Sequence, residues 1–297
     1  MDHWKHYHVP STLEEAVELL DRYNGGARLI GGGTDLLLDI SQGRCPVPDA
    51  MVDPTKIIGL GGISREAGFV VIGCGATHTM ITNNEDIMRH GTCLAESCGV
   101  IGGPQVRNVA TLAGNVAHAM PAGDGSIGLL TLDGEIELAD TSGRRWVPLA
   151  DAFLGPGSSA IDHSETLLSR LRFKACSTLC GSAFYRIMRP QGVALPMISM
   201  AARLQLNGEN GIDSARICIG PAGPVPHLAE KAMNFLAGGP ATMDRFVEAA
   251  QLALNSLSLR DSKYRASKPY REEMIRRHLP RVLALAAKRA MEGESVQ

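Results

Sequence analysis

Apolar residues recur at helical spacing near the start of the chain, in the segment "PSTLEEAVELLDRYNGG". One side of the predicted helix would carry four of them: Leu13, Ala16, Val17 and Leu20. Ser11 and Glu14 have the spacing of a capping box, in which the two side chains bond the first free amides of a helix. The pattern therefore predicts a helix that ends at Gly25.

A short apolar pair, Leu29 and Ile30, then runs into three consecutive glycines in "LIGGGTDLLL". Thr34 or Asp35 could cap a following turn that begins at Leu36. The predicted order is helix, strand, glycine loop and helical turn. Three glycines in a row allow either a tight turn or a close approach of the backbone to another group.

The remaining apolar pattern mixes strands and helices. Strand-like runs occur in "DAMVDPTKI", "GFVVIGCGATHT" and "TLLSRLRF", and "NEDIMRHGTCLAESCG" has a helical pattern. A seam is predicted after Phe173, where a segment of small and polar residues begins. Beyond it, "MISMAARLQLNGENGIDSARICIGPAG" predicts a hairpin, and helices follow from Thr242.

Composition narrows the class of protein. The 297 residues are 44% hydrophobic and 20% charged with a formal net charge of −2, which is typical of a soluble globular chain of two domains. This balance gives no electrostatic case for binding nucleic acid or an acidic membrane, so small molecules or proteins are the expected partners. No signal peptide or transmembrane segment is visible, which predicts a cytoplasmic protein.

Three further features each have a plain and a sharper interpretation. The seven cysteines form no CxxC pair, and the nearest pairs, Cys93 with Cys98 and Cys176 with Cys180, match no common metal spacing, so buried free thiols are expected. His3, His6 and His8 would form either an exposed edge strand or a metal site. Histidines in the two glycine-flanked regions, His78 and His118, would be structural or would approach a ligand.

Between Arg260 and Arg289 the chain has ten Lys or Arg residues against three Asp or Glu. The plain interpretation is a solvated helix face with favourable charges near a helix end. The sharper one is a docking surface for an acidic partner.

A second stretch of small residues, "GGPQVRNVATLAGNVAHAMPAGD", spans Gly102 to Asp124. Small side chains let main-chain N–H groups reach phosphate oxygens, so two such loops together favour a phosphate site. Asp124 would accept hydrogen bonds from sugar hydroxyls or cap the next segment. Neither loop matches GxxxxGKS/T or GxGxxG, which makes a P-loop or Rossmann interpretation weak.

These blocks resemble the FAD-binding medium subunits of molybdenum hydroxylases of the xanthine dehydrogenase and aerobic carbon monoxide dehydrogenase type. The resemblance begins with Tyr7, Pro10 and Ser11 of the pattern Y-x-x-P-x-S/T and continues through "GGTDLL" and "PQVRNVATLAGN". It ends with "RASKPYREEM", which is similar to the family's R-x-S-x-x-Y-R motif.

The resemblance implies an α+β fold. Residues 1–174 would form an FAD-binding domain (PCMH-type) of two α+β subdomains with a break near residue 55. Residues 178–290 would form a smaller C-terminal domain of antiparallel sheet and helices.

The resemblance also implies site residues for noncovalent FAD. The first loop would supply Leu29, Ile30, Gly31, Gly32, Gly33, Thr34, Asp35 and Leu36. The second loop would supply Thr111, Leu112, Ala113, Gly114 and Asn115. Single contacts would come from Asp124, Ile101, Leu167 and Tyr185. No catalytic residue and no metal ligand of this chain is implied.

Two positions depart from the family pattern. Ala113 stands where a glycine is usual, which would strain the loop if that position needs a positive φ. Tyr185 stands where some relatives have lysine, so an NAD preference cannot be assumed.

The function implied is electron transfer by a subunit of an oxidoreductase. Electrons would come from 2Fe-2S clusters in a small subunit, after hydroxylation at a molybdenum cofactor in a large subunit, and would pass to NAD, oxygen or quinone. The assembly would be a dimer of heterotrimers. Two alternatives stay open: a self-sufficient flavin oxidoreductase and a non-enzymatic nucleotide-binding scaffold.

Overall fold

The computed structural model describes residues 4–189, 195–209, 211–263 and 265–293, and its chain begins with a small parallel sheet. The order is β1-β3-β2, formed by His6–His8 (β1), Ala27–Leu29 (β2) and Ala50–Val52 (β3). Parallel strands need a crossover connection, and helix α1 (Leu13–Tyr23) supplies it between β1 and β2. Helix α2 (Leu36–Ser41) follows β2, so the glycine run lies between the carboxyl end of β2 and α2.

Helix α1 confirms the predicted apolar face, but the predicted cap is wrong by one residue. The Thr12 side chain accepts a hydrogen bond from the Glu15 amide, and the Glu15 carboxylate accepts one from the Ser11 amide at 2.7 Å. Thr12 and Glu15 have the same spacing as Ser11 and Glu14, so spacing alone could not choose between the two pairs. The helix ends at Tyr23 because Asn24 adopts the left-handed conformation.

The elements from β1 to β10 form the first unit of the protein. A five-stranded antiparallel sheet lies at its centre, in the order β4-β5-β10-β6-β7. Its strands are Ile63–Glu66 (β4), Phe69–Gly73 (β5), Glu135–Asp140 (β6), Gly143–Pro148 (β7) and Leu167–Lys174 (β10). The strands Phe153–Gly155 (β8) and Ser158–Ser159 (β9) form a separate pair, and the 3₁₀ turns are Pro54–Lys56 and Leu149–Ala152.

Six helices are inserted between β5 and β6. They are His78–Thr82 (α3), Glu85–His90 (α4), Thr92–Gly99 (α5), Pro104–Arg107 (α6), Leu112–Ala117 (α7) and Asp124–Thr131 (α8). The second glycine-rich loop thus belongs to a helical insertion, far along the chain from the first. Both share one hydrophobic core with the two sheets.

The second unit is an antiparallel sheet of four strands, β11-β12-β13-β14, covered by helices. The strands are Cys180–Ile187 (β11), Ile198–Leu206 (β12), Ile212–Gly220 (β13) and His227–Leu228 (β14), and the helices are Glu230–Leu236 (α9), Met243–Leu254 (α10) and Lys268–Glu292 (α11). The predicted hairpin is confirmed as β12 and β13, and the predicted α+β class is confirmed.

Alternation along the strands gives this second sheet two buried faces. Phe184, Ala201 and Cys218 belong to the core of the first unit. Ala183 and Met200, each next in sequence, belong to the core formed with α10 and α11. Side chains of a strand point alternately to opposite faces, so one sheet serves both cores.

The expectation of free thiols holds for Cys74, Cys93, Cys98 and Cys218, which are buried and unpaired. It is wrong for Cys176 and Cys180, which form a disulfide with Cα atoms 5.7 Å apart where the two units join. The spacing of four residues fitted no metal motif, but the turn before β11 brings the two sulfurs together.

The amino-terminal histidines follow the plain interpretation where they can be seen. His6 and His8 lie on the edge strand β1, and His8 Nε2 lies 2.9 Å from the Tyr23 hydroxyl. His3 lies outside the described residues. Among the residues described, no group of three metal-ligating side chains occurs, and no helix has the length and apolar character needed to cross a membrane.

Candidate functional site

The two glycine-rich loops, residues 31–35 and 111–115, lie directly against each other. A Cβ atom added at Gly31 would be 2.9 Å from Thr111 Oγ1. One added at Gly32 would overlap the Val109 carbonyl and lie 2.6 Å from Ala110 Cα. Glycine is therefore required at both positions because the two loops touch. The sequence alone could not distinguish this contact from a close approach of the backbone to a ligand.

The first loop presents unpaired main-chain donors. Ile30 donates to the Val52 carbonyl, and Leu37 donates to the Gly33 carbonyl. Between them, no N–H group of residues 31–35 donates a hydrogen bond within the described chain. Gly31, Thr34 and Asp35 are exposed, and Gly33 has φ +67°, a conformation that favours glycine. A row of free amides at the surface suits the oxygens of an anion.

The ends of the first loop are anchored in the fold. Leu29 ends β2, Ile30 is buried, and Leu36 is the first residue of α2. Asp35 occupies the N-cap position, but its side chain makes no capping hydrogen bond. The predicted helical turn is thus confirmed, without the predicted side-chain cap.

The second loop is held by its own side chains. Thr111 caps α7, and its Oγ1 accepts a hydrogen bond from the Gly114 amide at 3.0 Å. Asn115 Oδ1 accepts hydrogen bonds from the Ser126 amide at 3.0 Å and from its hydroxyl at 3.1 Å. This leaves Asn115 Nδ2 without an acceptor in the described part of the chain, so the loop adds a side-chain donor to the amides of the first.

Ala113 does not strain the second loop. It lies with Leu112 in the first turn of α7, has no positive φ, and both side chains are buried in the first core. Alanine favours helix, so the departure from the usual glycine is accommodated without backbone cost.

The histidines near the loops have different positions. The His78 amide donates to the Ala110 carbonyl at 3.0 Å, and its ring is buried behind the second loop with no hydrogen-bond partner for Nδ1 among the described residues. Burial, and secondarily the charge of Arg107, lowers the pKa of His78 to about 4. His118 lies between the loops instead, with ring nitrogens 3.9 Å from the carboxylates of Asp35 and Asp39.

Asp124 is buried between the two units of the protein. Its Oδ2 lies 2.8 Å from Arg186 Nη1 on β11, and its Oδ1 accepts a hydrogen bond from the Ser199 hydroxyl at 2.6 Å. Burial raises the pKa of Asp124 to about 6, while Arg186 and Ser199 oppose the rise. One interpretation of the sequence expected Asp124 to cap the next segment, but it does not cap α8, whose N-cap residue is Gly123.

The other predicted positions lie on separate elements. The Ile101 carbonyl accepts a hydrogen bond from Arg107 at 3.0 Å, which closes the turn before α6. Leu167 begins β10 with its side chain in the first core. Tyr185 is 44% exposed, and its ring stacks on His278 of α11 with centroids 4.9 Å apart. Among the described contacts, none of its hydrogen bonds or ring contacts reaches either loop.

Sequence inspection missed the groups that position the site. Ser126 fixes Asn115 from eleven residues away, and Arg186 reaches Asp124 from 62 residues away. Glu96 accepts hydrogen bonds from the Phe184 amide at 2.8 Å and from Arg289 at 2.5 Å. These two hydrogen bonds also join the first unit to the second. Such partners are set by tertiary packing, so no local sequence signal announces them.

Two family models match the chain. The model of the FAD binding domain in molybdopterin dehydrogenase matches residues 3–173, and the model of the CO dehydrogenase flavoprotein C-terminal domain matches residues 183–286. The first alone spans more than half of the 297 residues.

Similar proteins match over nearly their whole length. The nicotinate dehydrogenase FAD-subunit of Eubacterium barkeri is 30% identical over 91% of both chains. The xanthine dehydrogenase FAD-binding subunit of Escherichia coli O157:H7 is 28% identical over 94% of this chain and 95% of its own. A solved carbon monoxide dehydrogenase from Hydrogenophaga pseudoflava, lacking the Mo-pyranopterin moiety, superimposes with a TM-score of 0.89 at 25% identity, covering 97% of this chain and 98% of that one.

The buried Asp124–Arg186 pair predicts a large loss of stability when one partner is removed. Asp124→Ala would leave the guanidinium buried without a counter-charge and should lower the free energy of unfolding by about 3 to 5 kcal/mol. Urea unfolding of the cofactor-free protein measures this. The matched control is Asp133→Asn, because Asp133 pairs with Arg216 at 2.7 Å across the same two units but is 71% exposed. It should cost less than about 1 kcal/mol, and equal losses would contradict the assignment.

Neutral burial of His78 predicts a specific loss of stability in acid. The folded-state pKa of about 4 lies below the ordinary 6.5, so the contribution is complete above pH 6.5 and is lost as the pH falls toward 4. His78→Leu should remove that dependence. Between pH 7.5 and pH 4.5 the original protein should lose about 2.5 kcal/mol more than the variant. His6→Gln, at an exposed edge, should follow the original profile; identical profiles for all three proteins would disprove the assignment.

Proposed function

The chain belongs to the family of FAD-binding subunits of molybdopterin-dependent dehydrogenases, and from that premise we propose that it is the FAD-carrying electron-transfer subunit of a heteromeric molybdenum hydroxylase. It is an oxidoreductase subunit. The domain boundaries that we propose are residues 1–174 for FAD binding and 178–290 for the C-terminal domain.

The observation that carries the proposal is the row of unpaired amides in residues 31–35, next to the free Asn115 Nδ2. A pyrophosphate needs several donors within reach of its oxygens, and main-chain amides supply them without side-chain bulk. The two loops lie side by side because Gly31 and Gly32 leave no side chain between them. The site therefore fits a dinucleotide held noncovalently.

We propose that FAD contacts the residues that the family resemblance predicts. The loops would bind the pyrophosphate, from Leu29 to Leu36 and from Thr111 to Asn115. Asp124 keeps the capacity to accept a further hydrogen bond, since a carboxylate has about four acceptor positions and only part of them are used. Ile101, Leu167 and Tyr185 complete the proposed set.

When bound, FAD supplies the redox chemistry, and the chain's residues bind and orient it. No acid–base group of this chain is assigned to the reaction. We place the molybdenum cofactor in a large partner subunit and the 2Fe-2S clusters in a small one, arranged as a dimer of heterotrimers in the cytoplasm. Electrons would leave from this chain to NAD, oxygen or quinone. The similar dehydrogenases are named for different substrates, so the proposal assigns substrate choice to the large subunit.

Co-expression of the chain with the proposed large and small partner subunits tests this function. The purified complex should contain FAD, molybdenum and iron, and a substrate of the large subunit should bleach the visible absorption of the oxidised flavin. The isolated chain should hold FAD without being reduced by that substrate. Turnover by the isolated chain would favour a self-sufficient flavin oxidoreductase. Failure of both the chain and the complex to bind FAD would favour a scaffold.

Asn115→Asp tests the loop assignment with almost no change in shape. The substituted carboxylate can still accept from Ser126, but it replaces the Nδ2 donor with a negative charge close to the proposed pyrophosphate. Loss of one charge-assisted hydrogen bond, together with repulsion, should weaken FAD binding at least about tenfold. Flavin fluorescence titration measures the affinity, and circular dichroism checks the fold. Asn255→Asp, on the exposed end of α10, is the matched control. Unchanged affinity in Asn115→Asp would rule out this contact.

A further inference from the structure

The basic segment between Arg260 and Arg289 divides into two parts. In its second part most basic side chains pair within the chain: Arg276 and Arg277 both pair with Glu273, Lys288 with Glu292, and Arg289 with Glu96. The exposed Arg281 has no ion pair among the described residues. Most of these side chains are exposed, so this part agrees with the interpretation as a solvated helix face.

Three arginines at the other end have no such partner. Within the described ranges, the side chains of Arg260, Arg265 and Arg271 make no ion pair and no hydrogen bond. Arg271 is only 4% exposed, and its buried Nε has no acceptor. Arg265 is half-buried and Arg260 is exposed. We call them the arginine triad.

Backbone hydrogen bonds fold the triad together at the start of α11. The Ser262 amide donates to the Ala266 carbonyl at 3.1 Å, the Arg265 amide to the Ser262 carbonyl at 3.3 Å, and the Arg271 amide to the Ser267 carbonyl at 3.2 Å. Asp261 Oδ1 accepts from the Lys268 amide at 2.7 Å, which closes the loop onto the first turn of the helix. Helix α11 has 25 residues, and its amino end contributes a further partial positive charge.

The triad's charges act on one another. Burial lowers the pKa of Arg271, and the charges of Arg265 and Arg260 lower it further, while Asp261 opposes them. Burial and the charge of Arg260 likewise lower the pKa of Arg265. A buried guanidinium without a counter-charge is costly, so this arrangement is unfavourable unless an anion joins it.

We propose that Arg260, Arg265 and Arg271 form a binding site for the phosphate group of a small molecule. The three guanidinium groups outnumber the neighbouring carboxylate of Asp261, and this excess of positive charge suits a doubly charged phosphate better than a single carboxylate. Guanidinium groups bind phosphate oxygens through two parallel N–H donors. The site belongs to the second unit and is independent of the glycine loops.

Inorganic phosphate is the probe that tests the site. The full chain would be saturated with FAD, so that the glycine loops are not open to phosphate, and then titrated at constant ionic strength by calorimetry and thermal unfolding. Saturable binding and a rise in Tm are expected. Arg271→Met should bind phosphate at least about tenfold more weakly. Without phosphate it should be at least as stable as the original chain, because an uncompensated buried charge is removed.

Controls separate this site from general charge effects. Arg276→Gln removes an exposed arginine of the same helix and should bind phosphate normally. Arg265→Gln provides a second triad variant and should also weaken binding. Retained binding in both triad variants, an equal effect of chloride, or a stronger effect of succinate than of phosphate would overturn the proposal. Loss of phosphate binding on assembly with the partner subunits would also overturn it, by assigning the triad to a subunit interface.

Discussion

The contact between the two glycine-rich loops is the constraint on which the site depends. Gly31 and Gly32 fit against Thr111 and the Val109–Ala110 backbone with no space for a side chain. One loop follows a strand of the parallel sheet, and the other opens a helix inserted in the antiparallel sheet. The loops can therefore meet only if both parts of the first unit pack in one arrangement. The shared hydrophobic core fixes that arrangement, and the unpaired donors of the first loop are presented beside the second loop as a result.

The second unit extends this constraint to the far side of the second loop. Arg186 and Ser199 hold Asp124 at the start of α8, and Ser126, in the same turn, holds Asn115. Hydrogen bonds from β11 and β12 thus fix Asp124, and separate hydrogen bonds from Ser126, two residues further along, fix the side chain that presents a donor in the second loop. Since β11 also packs through Phe184 in the first core, the second unit helps to fix the position of α8 beside the second loop.

The parts of the fold that follow from local sequence were predictable, and the parts that depend on distant partners were not. Helix α1, the turn after the glycines and the hairpin of β12 and β13 come from periodicity and turn residues within a few positions. The location of both loops also followed from glycine content. By contrast, nothing near Asp124 indicates Arg186, and nothing near Cys176 shows that the turn brings Cys180 to its sulfur. Those contacts exist because the units pack, so they need the tertiary structure.

The departure at Tyr185 has an electrostatic explanation in the surrounding helix. Its ring stacks on His278, and burial together with the charges of Arg281 and Arg277 lowers the pKa of that histidine. A lysine at position 185 would place a further ammonium group in a region that is already cationic. Tyrosine keeps the position uncharged and contributes an aromatic stack instead. Tyr185 thus adds no charge beside the arginines of α11, and an NAD preference cannot be assumed for this chain.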